Sequence, residues 1–185
     1  MNDDNVLSIN VADSVGAEDI FNPPPSAPDL LERYVAPHDV VSREVTQEDV
    51  GRLIKEAEIM HKLCFTPRGK YPSALAIAHP QIDDQDPLRF FVTLTGEMIV
   101  NPVIKNTTKV TVDNKEGCMS YPDEDIKKRV QRYNVIDLDY QTILKNGDLS
   151  EVMTSTYSGK LAKIIQHEFD HLNAKYIFDK GEVVA

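Results

Sequence analysis

Gln166-His167-Glu168-Phe169-Asp170-His171-Leu172 sets two histidines four residues apart, with a glutamate beside the first. On a helix, residues i and i+4 project from one face, so His167 and His171 can offer two imidazoles to one metal ion. Glu168 then stands close enough to act on a water held there. Ile164, Ile165, Phe169 and Leu172 surround the pair, which makes the helix apolar on most sides and suited to burial. Buried histidines and a buried glutamate need partners, and a metal supplies one. The plain alternative is a helix with two surface histidines and a solvated acid; the apolar flanks argue against it.

A catalytic metal site commonly takes three protein ligands, so one is missing. Of the fourteen residues after His171, only Asp179 and Glu182 are acids. An upstream ligand is the better expectation, and Cys118 in Glu116-Gly117-Cys118-Met119-Ser120-Tyr121-Pro122 is the best candidate. Gly117 permits unusual backbone geometry there, and polar residues flank the thiol.

Outward from these segments, the periodicity predicts a last long helix over residues 159–174. Strand patterns precede it at residues 89–95 and 97–101, separated by Gly96, and at 109–113 and 133–140. Asn146-Gly147 is a hairpin signal between two strand candidates. Nearer the N-terminus, Thr46 and Asp49 have the spacing of a capping box. Val50, Leu53, Ile54, Ala57, Met60 and Cys64 then recur on one helical face, so Cys64 reads as core. Antiparallel β-sheets packed around a buried C-terminal helix carrying the H-E-x-x-H pattern make an α+β domain over residues 29–185. Residues 1–28, with FNPPPSAP and no sustained periodicity, read as a flexible N-terminal tail.

The chain is 41% hydrophobic and 27% charged, as expected of a soluble globular domain. Neither a secretory signal nor a membrane-length apolar run is visible, so a cytoplasmic protein with no membrane association is expected. Two cysteines do not make a disulfide framework. A net charge of -10 argues against direct nucleic-acid binding.

Three segments, in order, resemble the signature motifs of the peptide deformylase family. EGCMSYP is similar to E-G-C-L-S-x-P, and QHEFDHLNA to Q-H-E-x-D-H-L-x-G. Ala74-Leu75-Ala76-Ile77-Ala78-His79-Pro80-Gln81 resembles G-x-G-L-A-A-x-Q more loosely: alanine replaces both glycines and His79 replaces an alanine. The resemblance implies removal of the N-formyl group from N-formylmethionyl nascent polypeptides, with release of formate. It makes Cys118, His167 and His171 the ligands of one divalent metal ion, typically Fe(II), with Zn, Ni or Co able to replace it. Glu168 becomes the proton carrier, and the Gln81 side chain and Met119 N–H become oxyanion donors. Asp170 is expected to pair with Arg129, Arg132 being the alternative. Leu75, Ala76, Ile77 and Tyr121 are expected to line the substrate, with Ile165 bordering the same volume. A basic C-terminal extension of the kind that docks some relatives on ribosomes is not seen, so weak ribosome association at most and a monomer are expected. Two other readings stay open: a zincin-type peptidase with a downstream third ligand, and a metal-binding relative without catalysis.

Overall fold

The computed structural model describes residues 5–9, 40–65, 74–108, 111–120, 127–180 and 182–184. The tail expectation for residues 1–28 therefore falls outside the described residues, except at 5–9. Those five are docked on the domain. Val6 bridges Leu144, the Leu7 N–H donates to Ile143 O at 2.8 Å, and the Ile9 N–H donates to Gly96 O at 3.0 Å. Ile9 is buried. Gly96 has φ +80°, and a Cβ there would meet Ile9 O at 2.2 Å, so this turn requires glycine twice over.

The capping box forms as the Thr46–Asp49 spacing predicts: the Thr46 N–H donates to Asp49 Oδ2 at 2.9 Å. A 3-10 turn, Gln47–Asp49, leads into α1, Val50–Phe65. Val50, Leu53, Ala57, Met60 and Cys64 all face inward, as the periodicity predicts.

The strands are β1 Ala76–Ala78, β2 Phe90–Thr93, β3 Met98–Thr107, β4 Thr111–Glu116, β5 Lys127–Tyr133, β6 Val135–Gln141, β7 Met153–Ser158 and β8 Glu182–Val184. They form a five-stranded sheet in the order β1-β2-β3-β6-β7 and a three-stranded sheet in the order β4-β5-β8, antiparallel throughout. Strand alternation divides the apolar residues between two cores. Ile77, Phe90, Val92, Met98 and Val100 pack with α1, whereas Ala78, Phe91 and Ile99 pack on the other face. The second core receives Ala162, Ile165 and Leu172 from α2, Gly159–Leu172. This sheet is buried on both faces in its middle, which explains the unbroken Phe90-Phe91-Val92 run.

The strand expected over 97–101 continues to Thr107 through Pro102. The pairing of β3 with β6 shifts register between Val100 and Val103, and Asn101 there adopts φ +50°. That irregularity accommodates a proline the ladder would otherwise exclude. A short helix, α3 Ile177–Lys180, follows α2.

Candidate metal centre

α2 presents the histidines from between the two sheets. Gln166 fastens the helix to the end of β5, accepting the Tyr133 N–H at 3.0 Å and donating to Tyr133 O at 2.8 Å. One turn on, Cys118 Sγ lies 3.3 Å from His171 Nε2, which lies 3.2 Å from His167 Nε2. The three ligand atoms all fall within 4.8 Å of one another. His167 and His171 thus meet Cys118, delivered by the turn that follows β4.

The donor chemistry fits a metal ion. His167 Nδ1 sits 2.9 Å from the Glu116 carboxylate, an acceptor, so Nδ1 carries the proton and Nε2 turns a lone pair to the centre. Against protein neighbours alone, burial disfavours charge on His167, but hydrogen bonds to Cys118 and Glu116 outweigh it and raise its pKa to about 10. The cluster therefore attracts positive charge at this point, and a divalent ion supplies it in place of a proton. The downstream alternative is not realised by Asp179, whose carboxylate instead accepts the Tyr176 N–H at 2.7 Å.

Glu168 is 4% exposed, and its Oε2 has no hydrogen-bond partner among the described residues. Burial is the main cause that pushes its pKa up to about 7, working against the attraction of His167 and Arg132. A carboxyl balanced there can take and return a proton near neutrality. Gln81 is buried; its Oε1 accepts the Ala78 N–H at 2.9 Å and its Nε2 donates to Ser120 Oγ at 3.2 Å. A carboxamide nitrogen has two protons, and among the described residues the second has no partner and can serve a ligand. Met119, between Cys118 and Ser120, packs its sulfur 4.0 Å from Cys64 Sγ. Burial and the nearby Glu168 raise the Cys64 pKa to about 12, which leaves it an inert packing thiol, as expected.

Asp170 pairs with Arg132, not Arg129. β5 buries alternate residues: Lys128, Val130 and Arg132 point inward, and Arg129 points out. Arg132 Nη1 donates to Asp170 Oδ2 at 2.5 Å, while Nε and Nη2 grip Glu116 at 2.9 and 2.8 Å. Glu116 received no role from the sequence, yet it joins Arg132 to His167. Its position two residues before the candidate ligand Cys118 was the available signal. Burial opposes its charge, but Arg132 and His167 overcome this and hold its pKa at about 2. Ser120, which holds Gln81, was likewise missed. Ala76 and Ile77 are buried in β1 and Leu75 is partly exposed beside it; Tyr121 lies outside the described residues.

A family model described as polypeptide deformylase matches residues 38–183. The chain belongs to the polypeptide deformylase family. Its similarity to a peptide deformylase of Desulfotalea psychrophila is 31% identity over 159 residues, covering 81% of this chain and 86% of that protein. To a peptide deformylase of Thermotoga neapolitana it is 31% over 109 residues, 57% of this chain and 61% of the relative. To that of Orientia tsutsugamushi strain Boryong it is 40% over 84 residues, 44% of this chain and 41% of the relative. The matched stretch thus spans less than two thirds of these last two relatives. The crystal structure of the Thermotoga maritima peptide deformylase superposes with a TM-score of 0.63 at 29% identity, covering 83% of this chain and 91% of that one. Deformylases are metal-dependent, and in this member Cys118, His167 and His171 form a Cys-His-His group that could hold a metal ion. Among the described residues, no helix is long and apolar enough to cross a membrane.

Proposed function

We propose that this protein hydrolyses the N-formyl group of N-formylmethionyl polypeptides and releases formate. The observation that carries the reading is the convergence of Cys118, His167 and His171 beside the buried, half-unpartnered carboxylate of Glu168. A thiolate with two imidazoles suits Fe(II), and equally accepts Zn, Ni or Co. When bound, such an ion supplies Lewis acidity toward water and the formyl carbonyl.

The chain's own residues do the rest. Glu168 takes the proton of the attacking water and returns it to the departing methionyl amine. The free Gln81 N–H and the Met119 backbone N–H are the donors for the developing oxyanion. β1 lies at an edge of its sheet, so Leu75, Ala76 and Ile77 can add an extended peptide as a further strand. Tyr121 and Ile165 would border the methionine side chain. The net charge of -10 suits a cytoplasmic monomer that meets nascent chains with only weak ribosome affinity.

The test is an anaerobic assay on formyl-Met-Ala-Ser, with metal content measured on the same sample. Formate should appear in proportion to bound metal. Glu168→Gln should keep its metal and slow by at least ~10²–10⁴-fold, the usual contribution of a general base. Cleavage of unformylated peptides without formate, or near-normal turnover in Glu168→Gln, contradicts the proposal.

A further inference from the structure

His79 is fully buried, and both of its ring nitrogens are engaged. Nδ1 accepts the Leu88 N–H at 3.0 Å, so the ring proton sits on Nε2, which faces Glu56 Oε2 at 2.6 Å. Glu56 belongs to α1, and Leu88 lies just before β2. One imidazole therefore ties α1 to the far end of the loop that leaves the 3-10 turn His79–Gln81. The backbone of His79 closes the same turn: its carbonyl accepts the N–H groups of Ile82 at 2.9 Å and Asp83 at 3.1 Å. Glu56, His79 and Asp83 have donor atoms close enough for a cation. That reading fails, because Arg52 binds Glu56 at 3.1 Å and Asp83 at 2.7 Å, and the Leu88 N–H holds the Nδ1 lone pair.

We infer that His79 is a positioning residue for Gln81. Held between Glu56 and the Leu88 N–H, it fixes the three-residue turn from which the Gln81 amide reaches Ser120, two residues beyond Cys118. The inference rests on the proposed role of Gln81 as an oxyanion donor. Without the imidazole, the Leu88 N–H and the Glu56 carboxylate lose their shared partner, and the turn can be displaced. Gln81, two residues along a turn only three residues long, moves with it.

The experiment compares wild type, His79→Ala, His79→Gln, Gln81→Ala and the His79→Ala/Gln81→Ala double variant on formyl-Met-Ala-Ser. Rates are taken per metal-loaded site, well below the melting temperature. His79→Ala should lower kcat by ~10–10²-fold, as for a misplaced group and below the ~10²–10³-fold of a lost oxyanion donor, with KM within ~threefold. His79→Gln, whose amide reaches Glu56, should recover part of that loss. In the Gln81→Ala background, His79→Ala should have little further effect, because the group it positions is gone. A merely structural role lowers the melting temperature and leaves kcat per loaded site unchanged. If His79→Ala does not fold, Glu56→Leu, which removes the outer anchor and one partner of Arg52 but leaves the Leu88 hydrogen bond to His79, carries the same comparison. The Gln81 carboxamide resonances give a readout independent of turnover: they should move toward free-amide values when the anchor is lost. A kcat within ~twofold of wild type, an undiminished effect in the Gln81→Ala background, or unmoved Gln81 resonances each overturn the inference. A wild type inactive on formyl peptides strikes the proposed function instead, and the resonances still decide the positioning.

Discussion

Replacing Arg132 by methionine removes the cation from a buried triad while keeping most of the side-chain volume. Arg132 is 2% exposed and donates to Glu116 at 2.8 and 2.9 Å, to Asp170 at 2.5 Å and to Gln166 O at 3.4 Å. Methionine fills the space of the stem, so little cavity forms; the cost is electrostatic. Glu116 and Asp170 become buried carboxylates without their cation. Breaking a buried pair by removing one partner costs about 3–5 kcal/mol. For a chain of 185 residues, 1 kcal/mol lowers Tm by about 2–4 °C, so the expected drop is about 6–20 °C. Arg129→Met, on the exposed face of the same strand, should cost no more than about 1 kcal/mol, or less than about 4 °C. Arg132→Lys should fall between them, because one ammonium cannot fork to two carboxylates. Thermal unfolding followed by circular dichroism at pH 7, at a fixed saturating metal concentration, measures all three. If Arg129→Met lowers Tm as much as Arg132→Met, the assignment of the inward face of β5 is wrong.

Cys118→Ala should lose bound metal and activity together, whereas Cys64→Ala should keep the metal and lose about 1 kcal/mol of packing; metal analysis and melting separate the two. Glu116, held at about 2 against an ordinary 4.5, stabilises the fold most above pH 4.5, and that stability is lost as pH falls toward 2. Glu116→Gln should flatten the acid side of the stability curve by about 3 kcal/mol between pH 6 and pH 2, read by denaturant titration of chelated protein. Glycine at both Ala74 and Ala76 should change kcat/KM by less than about tenfold, ~1.4 kcal/mol, since Ala76 is buried and Ala74 packs on the first core. A thousandfold gain there would show that the alanines disable the site.

The candidate ligand histidines were legible because an i, i+4 pair needs only a helix, and the residues that build α2 are adjacent. Cys118 was legible from its local sequence and the lack of a better third ligand. Arg132 was not separable from Arg129, because they stand three apart on a strand, on opposite faces, and only the register of β5 says which face is inside. The role of Glu116 depends on the same register. The docking of Ile9 was hidden for another reason: it depends on Gly96, distant in sequence, leaving room for its carbonyl. The continuation of β3 past Pro102 was masked by a residue that normally ends a central strand, and only the shift against β6 admits it. His79 was visible as a departure from the family pattern, but its partners lie on α1 and before β2, beyond any local motif.

Apart from the His167–His171 pair, the contacts that build the candidate metal centre join residues far apart along the chain. Glu116 and His167 are 51 residues apart, Cys118 and His171 are 53, Arg132 and Asp170 are 38, and Gln81 and Ser120 are 39. A chain emerging during synthesis presents its cysteine long before either histidine, so a partial length ending before His167 offers only one of the three proposed ligands. With Cys118, His167 and His171 as the proposed ligands, metal loading belongs among the last events of folding, after α2 has docked between the sheets. Until that moment the thiol of Cys118 lacks both imidazoles, and an oxidant can reach it more readily than in the finished protein.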